Sequence, residues 1–251
     1  MSIDEALLAS FTPPDSPPVF RLYAWDPAAL SIGRFQKAAE EIDFDCCRRD
    51  ALPFVRRITG GGALFHGDEL TYSIVCSPAH IPEASSVKDS FRVLTAFLLA
   101  FYRRLGLDAS FARDAVSDSG RLGVRTPFCY AGRETFDIVV NNRKIGGNAQ
   151  RRLKNTIFQH GSIPIVNRAH TGLQYMKDRS PEHAEGTASL MDLGVVADLE
   201  TLKRLLTESF VSCLGPSVRL DDLSPGEQSL AEKLQSDTYS SELWNLHGER
   251  Q

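Results

Sequence analysis

The chain has 251 residues, is 42% hydrophobic and carries 14 Phe, 6 Tyr and 2 Trp, enough to build the core of one large domain with at most a small appendage. A net charge of −4 disfavours nucleic acid as the main partner, which calls for a basic surface. No apolar run reaches the roughly 18 residues of a membrane span, and the acidic start Met1-Ser2-Ile3-Asp4-Glu5 lacks the basic segment of a signal peptide, so the expected setting is the cytoplasm, away from membranes.

Apolar residues at positions 3, 6, 7, 8 and 11 predict a short helix, ended by the prolines of segment 13–18. Val19 to Tyr23 reads as a strand and Lys37 to Asp50 as a polar helix. Leu70, Tyr72, Ile74 and Cys76 alternate with Thr71 and Ser73, which predicts a half-buried strand. Ser86 and Asp89 open a helix whose apolar positions are Phe91, Leu94, Leu98, Phe101 and Leu105, and Gly106 closes it. Phe136, Ile138 and Val140 alternate before a turn at Asn141-Asn142, and another strand follows around residues 156–165. Asp198 caps a helix over 199–214, and Ser224-Pro225-Gly226-Glu227 starts the next with a capping box and a proline at its first position. Strands followed by helices predict an α+β fold, a mixed sheet flanked by helices, with a small helical portion over about 198–251.

Five cysteines without metal-ligand spacing imply neither a disulfide framework nor a metal site. Cys76 and Cys213 read as core residues on apolar faces, and Cys46 and Cys47 as members of the polar helix. Cys129, in a loop, is either a small buried hydrophobe or, with a cation nearby to lower its pKa, a nucleophile. Gly60, Gly61 and Gly62 follow Arg56 and Arg57. The loop is either a flexible hairpin turn or a cradle whose backbone N–H groups and arginines hold an anion. It matches neither a Walker loop nor a dinucleotide fingerprint. Lys144, followed by Gly146 and Gly147, can aim its ammonium at a ligand or simply be exposed. His66 and His160 are bases, hydrogen-bond donors or structural. His66, Asp68 and Glu69 suggest metal ligands only weakly, since no second cluster supports them. Arg151, Arg152 and Lys154 form a basic group, either a docking patch or a solvated face.

Arg56 through His66, Lys144 through Ala149, Gln159-His160-Gly161-Ser162, Thr187 through Leu190 and Tyr239 through Asn245 occur in an order that resembles the lipoate–protein ligase, octanoyltransferase and biotin ligase superfamily, across nearly the whole chain. The resemblance implies one catalytic domain of that type over 1–251. It implies substrate binding by Arg56, Arg57, Gly60, Gly61, Gly62, Ala63, His66, Gly146, Asn148, Ala149, His160 and Gly161, and no metal.

Within the superfamily the chain is most similar to the cysteine-dependent octanoyltransferases. In these a cysteine takes octanoate from acyl carrier protein as a thioester, and a lysine fifteen residues further on lowers its pKa; Cys129 and Lys144 stand at that separation, 144 − 129 = 15. The stretch His66 to Ser73 resembles the transferase form, since ligases carry a glycine–asparagine pair near its middle, and no further C-terminal domain follows. The implied catalytic residues are Cys129 and Lys144. The donor is octanoyl-acyl carrier protein, and the acceptor is a lipoyl-domain protein such as glycine-cleavage H protein or a dehydrogenase E2. No cofactor is expected. Gly62 departs from the transferase pattern towards the ligases. The alternative is therefore an ATP-dependent lipoate–protein ligase, which would require ATP and Mg, and a minor one is a silent lipoyl-domain binder.

Overall fold

The computed structural model describes residues 1–13, 15–115, 128, 134–215 and 219–250. Helix α1 (Ser2–Ser10) leads into strands β1 (Val19–Tyr23) and β2 (Ala29–Ile32), short helices α2 (Ala38–Glu41) and α3 (Phe44–Arg49), and strands β3 (Phe54–Arg56), β4 (Leu64–His66) and β5 (Glu69–Cys76). Next come helix α4 (Val87–Arg104), strand β6 (Ala109–Phe111), helix α5 (Ala112–Ala115) and strands β7 (Ile138–Val140), β8 (Arg143–Ile145), β9 (Gly147–Arg152) and β10 (Ile157–Pro164). Helix α6 (Ala169–Leu173), strand β11 (Thr187–Ala188) and helices α7 (Leu199–Leu214) and α8 (Pro225–Leu234) follow, and then two π-helical turns, Gln235–Tyr239 and Leu243–His247.

The architecture is α+β, but the described strands form three sheets rather than one. An antiparallel sheet runs β1-β5-β10-β9, a mixed sheet runs β11-β8-β7-β6, and a small mixed sheet runs β3-β2-β4. The glycine loop therefore makes no hairpin. The strands on either side of it, β3 and β4, both pair with β2, parallel and antiparallel respectively.

Strand β5 organises the interior. Leu70, Tyr72, Ile74 and Cys76 face the largest core cluster, with Leu94, Phe97, Leu98 and Phe101 of α4 and with Leu202, Leu206 and Phe210 of α7. Phe20 joins them, stacked on Phe210 at 4.0 Å and edge-on to Phe97 at 5.7 Å. The other face of β5, read from its pattern as solvated, is buried as well. Val75 packs with Leu7 and Leu8 of α1 and with Trp244, while Thr71 and Ser73 find polar partners inside. Alternation identifies the strand, but a helix and the C-terminal turns cover its polar side.

Local signals account for most helix ends. Ser86 Oγ accepts from Asp89 N at 3.0 Å and Gly106 takes φ +79 after α4. Asp198 caps α7 through Thr201 N, and the Ser224–Glu227 capping box is closed in both directions. Two readings need correction. The helix over 37–50 is two short helices broken at Ile42, because Ala38, Ile42, Cys46 and Cys47 turn into a second core cluster. Cys213 is exposed, one turn beyond Phe210 in the last turn of α7.

Candidate active site

The cavity lies on the polar side of β5, β10 and β9. Antiparallel register sets His160 opposite Ser73 and Ala149, and Ser162 opposite Thr71 and Gly147, so these residues converge on one face. Together with the glycine loop, Tyr23, Ser31, Leu64, His66 and Met1, all of these but Ser73 line a narrow slot of about 50 Å³, room for only a few water molecules. Eight of the residues implied by the sequence meet here: Arg57, Gly60, Gly61, His66, Asn148, Ala149, His160 and Gly161.

Arg57 fastens the glycine loop. Its guanidinium donates to Gly60 O at 3.0 Å, to Gly62 O at 2.7 Å and to Ser31 Oγ at 3.1 Å. Gly61 adopts φ +99, a conformation that favours glycine. A side chain on Gly146 (φ +75) would meet Ser162 O at 2.0 Å, so glycine is required for β8 to turn into β9 beside β10. Gly62 and Ala63 do not line the cavity. Ala63 instead forms an isolated parallel bridge with Phe128.

Arg56 does something else. Expected beside Arg57 as an anion-binding group, it is 1% exposed and donates only to backbone carbonyls. Nε reaches Trp244 O and Asn245 O, one terminal nitrogen reaches Gly33 O, Arg34 O and Gln36 O, and the other reaches Leu246 O, all within 2.8–3.2 Å. Trp244 Nε1 and Asn245 Oδ1 return the contact at Arg56 O and N. These bonds leave the guanidinium committed to the fold, and they explain why the segment 239–245 belongs with the glycine loop.

Beneath the slot runs a polar network. Glu69 Oε1 takes hydrogen bonds from His66 Nδ1 at 2.7 Å and from Thr71 Oγ1 at 2.6 Å, and Ser162 Oγ donates to Oε2. Burial raises the Glu69 pKa, but His66 and the three hydrogen bonds outweigh it and hold the carboxyl below its ordinary value. The ionised carboxylate fixes a proton on His66 Nδ1, so in the neutral ring Nε2 accepts from Ser31 Oγ at 2.7 Å. Trp25 stacks on His66 at 4.1 Å and donates to Thr71 Oγ1. Glu69, weighed from sequence as a metal ligand, is instead the partner of His66; Ser31 carries no sequence signal beyond being polar, and Thr71 and Ser162 stand inside stretches that carry the resemblance but were given no role there. His160 pairs with Thr59 Oγ1 at 2.7 Å, and burial pushes its pKa down to about 3. Nearby Asp4 accepts from Arg21, Tyr23 and Ser73, all near 2.8 Å.

Lys144 lies in the neighbouring sheet, three residues before Gly147 of the cavity wall. Its ammonium is buried and paired with Asp137 Oδ2 at 2.7 Å, and its strand pairs with Thr187. Asp137 escaped the sequence reading; an acidic residue within the apolar alternation Phe136-Ile138-Val140 was the available signal. Cys129 lies outside the described residues; Phe128, the residue before it, is fully buried against Ala63. Arg151 donates to Ile58 O at 3.3 Å and Lys154 is exposed.

Residues 1–213 match the lipoyl protein ligase A/B catalytic domain. The chain belongs to that family. An octanoyltransferase LipM of Kyrpidia tusciae is 35% identical to it over 98% of this chain and 93% of the relative. Among solved structures, a lipoate-protein ligase A bound with ATP aligns with TM-score 0.80 and 28% identity, covering 98% of this chain and 92% of the other. A bi-partite lipoate protein ligase of Thermoplasma acidophilum, solved with its E2 lipoyl domain, aligns with TM-score 0.79 and 26% identity over 100% and 91%. This member of the lipoyl protein ligase A/B family is an acyltransferase enzyme. Among its described residues no helix is long and apolar enough to cross a membrane.

Proposed function

We propose that the chain transfers an octanoyl group to a lysine of a lipoyl-domain protein in protein lipoylation, taking it from octanoyl-acyl carrier protein as a thioester on Cys129. Octanoyltransferase relatives that match 98% of the chain support octanoyl transfer. The observation that carries the site assignment is the bridge between Phe128 and Ala63, which ties the residue before Cys129 to the end of the glycine loop.

A thioester intermediate divides the transfer into two steps with similar leaving groups. In the first, the Cys129 thiolate attacks the donor thioester, the new thioester bond forms and the carrier leaves as its thiolate, which takes a proton from solvent. In the second, the acceptor amine attacks the acyl-enzyme. Lys144 favours the thiolate, tempered by its partner Asp137, and the Arg57-tied loop with Asn148, Ala149, His160 and Gly161 shapes the acyl channel. The reaction as proposed needs no cofactor.

Intact-mass spectrometry after mixing with octanoyl-acyl carrier protein tests this. One octanoyl adduct is expected, removed by hydroxylamine and abolished by Cys129→Ala; an adduct that survives Cys129→Ala refutes the assignment. ATP-dependent ligation is the second reading, favoured by Gly62 and by the likeness to an ATP-bound ligase. It predicts modification of the acceptor from free octanoate only when ATP is added.

A further inference from the structure

The acceptor lysine poses a problem that a cysteine and a buried Lys144–Asp137 pair do not solve. A lysine amine has a reference pKa near 10.4 and must be neutral to attack. On forming the amide bond it sheds a second proton, inside a slot with room for little water. A group facing that slot has to receive it.

We propose that His66 is the proton acceptor for amide formation, with Ser31 as the relay and Glu69 as the positioning residue that holds its ring. This inference rests on the acyl-enzyme reading above. Ser31 and His66 both line the slot. Ser31 Oγ, His66 and Glu69 form a continuous array with two contacts of 2.7 Å. Glu69 is anchored from two further sides by Thr71 and Ser162, and Trp25 covers the imidazole face, so the ring has one orientation. Arg57 donates to Ser31 Oγ, leaving its hydroxyl proton directed at Nε2. A neutral imidazole backed by a carboxylate suits a general base.

In the transfer step the neutral amine nitrogen attacks the thioester carbonyl carbon. The C–N bond forms, the C–S bond breaks and the Cys129 sulfur leaves as thiolate. One amine proton passes to Ser31 Oγ as the Ser31 proton moves to His66 Nε2, and the imidazolium is stabilised by Glu69. His66 then releases the proton to solvent, which restores the neutral ring and leaves Cys129 as the thiolate that began the cycle.

Among the described residues, the other charged or titratable groups around His66 are Arg57 through Ser31, His160 with Asp4 behind it, Tyr23 on β1, and the Met1 amino group, whose pKa burial lowers.

The test separates the two half-reactions. Wild type, His66→Asn and the near-isosteric Glu69→Gln are loaded with octanoyl-acyl carrier protein, and adduct formation is followed by intact mass. Each acyl-enzyme is then mixed with an acceptor lipoyl domain, and amide formation is timed from pH 6 to 9. In both variants loading is expected to fall less than transfer. Transfer should fall about 100-fold in His66→Asn and at least about tenfold in Glu69→Gln. In Glu69→Gln the rising limb of transfer rate against pH should shift, because the carboxylate that faces His66 Nδ1 is gone. A purely structural role would slow loading and transfer alike and leave the limb in place, which overturns the proposal, as does transfer at wild-type rate in either variant. Should Glu69→Gln fail to fold, Ser31→Ala supplies the same comparison: transfer slowed more than loading. If wild type carries no octanoyl on Cys129 but forms octanoyl-adenylate from ATP, the acyl-enzyme reading is what fails. The same variants then report on amide formation from adenylate, where a wild-type rate overturns the base assignment.

Discussion

Arg56 and Arg57 are neighbours at the end of one strand, and they serve different tasks. Arg57 points to the slot and holds the glycine loop from the inside. Arg56 points away and joins residues 33–36 to residues 244–246 through six carbonyl oxygens. A strand sends successive side chains to opposite faces, so two identical residues side by side cannot share a task. Chemistry-bearing residue types in a motif therefore have to be assigned one face at a time.

The sharpest way to break this division is to remove each arginine separately. Arg56→Ala leaves several buried carbonyls without donors, each worth about 1–3 kcal/mol. A loss of at least about 3 kcal/mol is expected, seen as a fall of roughly 6–12 °C in Tm for a chain of this size. Arg57→Ala should cost less stability but reduce octanoyl loading at least about tenfold by releasing the glycine loop. Equal melting temperatures for the two variants would erase the distinction.

A second prediction extends the comparison to the neighbouring sheet, where Lys144 and Asp137 are one partner each of a buried pair. Lys144→Ala should raise the Cys129 thiol pKa and Asp137→Asn should lower it, each unit corresponding to about 1.4 kcal/mol. Iodoacetamide alkylation against pH reads both. Burial pushes the Cys47 and Cys76 thiols up to about 11 and about 12, so Cys46 and Cys213 are the ones to replace beforehand. Superimposable profiles for wild type and both variants would remove the coupling between this pair and the nucleophile.

The third prediction concerns His160 on the slot side. Its folded pKa lies far below the ordinary histidine value, so below pH 6.5 the unfolded chain binds a proton that the native chain does not. Stability should therefore decline as pH falls from about 6.5 towards 4, by up to about 1.4 kcal/mol per pH unit for this group, and stay flat above. Below that window Asp4 and Glu69, whose folded pKa values are depressed, add losses of their own. Urea midpoints for wild type and His160→Asn should converge on the acid side; parallel curves would refute the linkage.

What was legible in the sequence was local. The Ser86 N-cap and the capping box at 224, the 3.6-residue spacing of α4 and α7, the Asn141-Asn142 turn and the glycine loop all carry their cause within a few residues. The convergence of Arg57, His66, Asn148 and His160 came from the family resemblance rather than from spacing. What remained hidden depends on distant partners. The fate of Arg56 is decided by carbonyls up to 190 positions away, and every residue has a carbonyl. Burial of Thr71 and Ser73 depends on α1 arriving to cover them, which alternation within β5 cannot express. Glu69 reads as one more acidic residue until the β4–β5 turn brings it to His66.

The Arg56 clamp also sets a timetable for biosynthesis. Its first carbonyls, at residues 33–36, leave the ribosome long before Trp244, which is 188 positions beyond Arg56. At about 5–20 residues per second, a nascent chain spends roughly 10–40 s with the guanidinium of Arg56 in search of its last partners. During that interval the strand that also carries Arg57 is held from one side only. A chain stalled before residue 244 is thus translated through every slot residue without the bracket that steadies them.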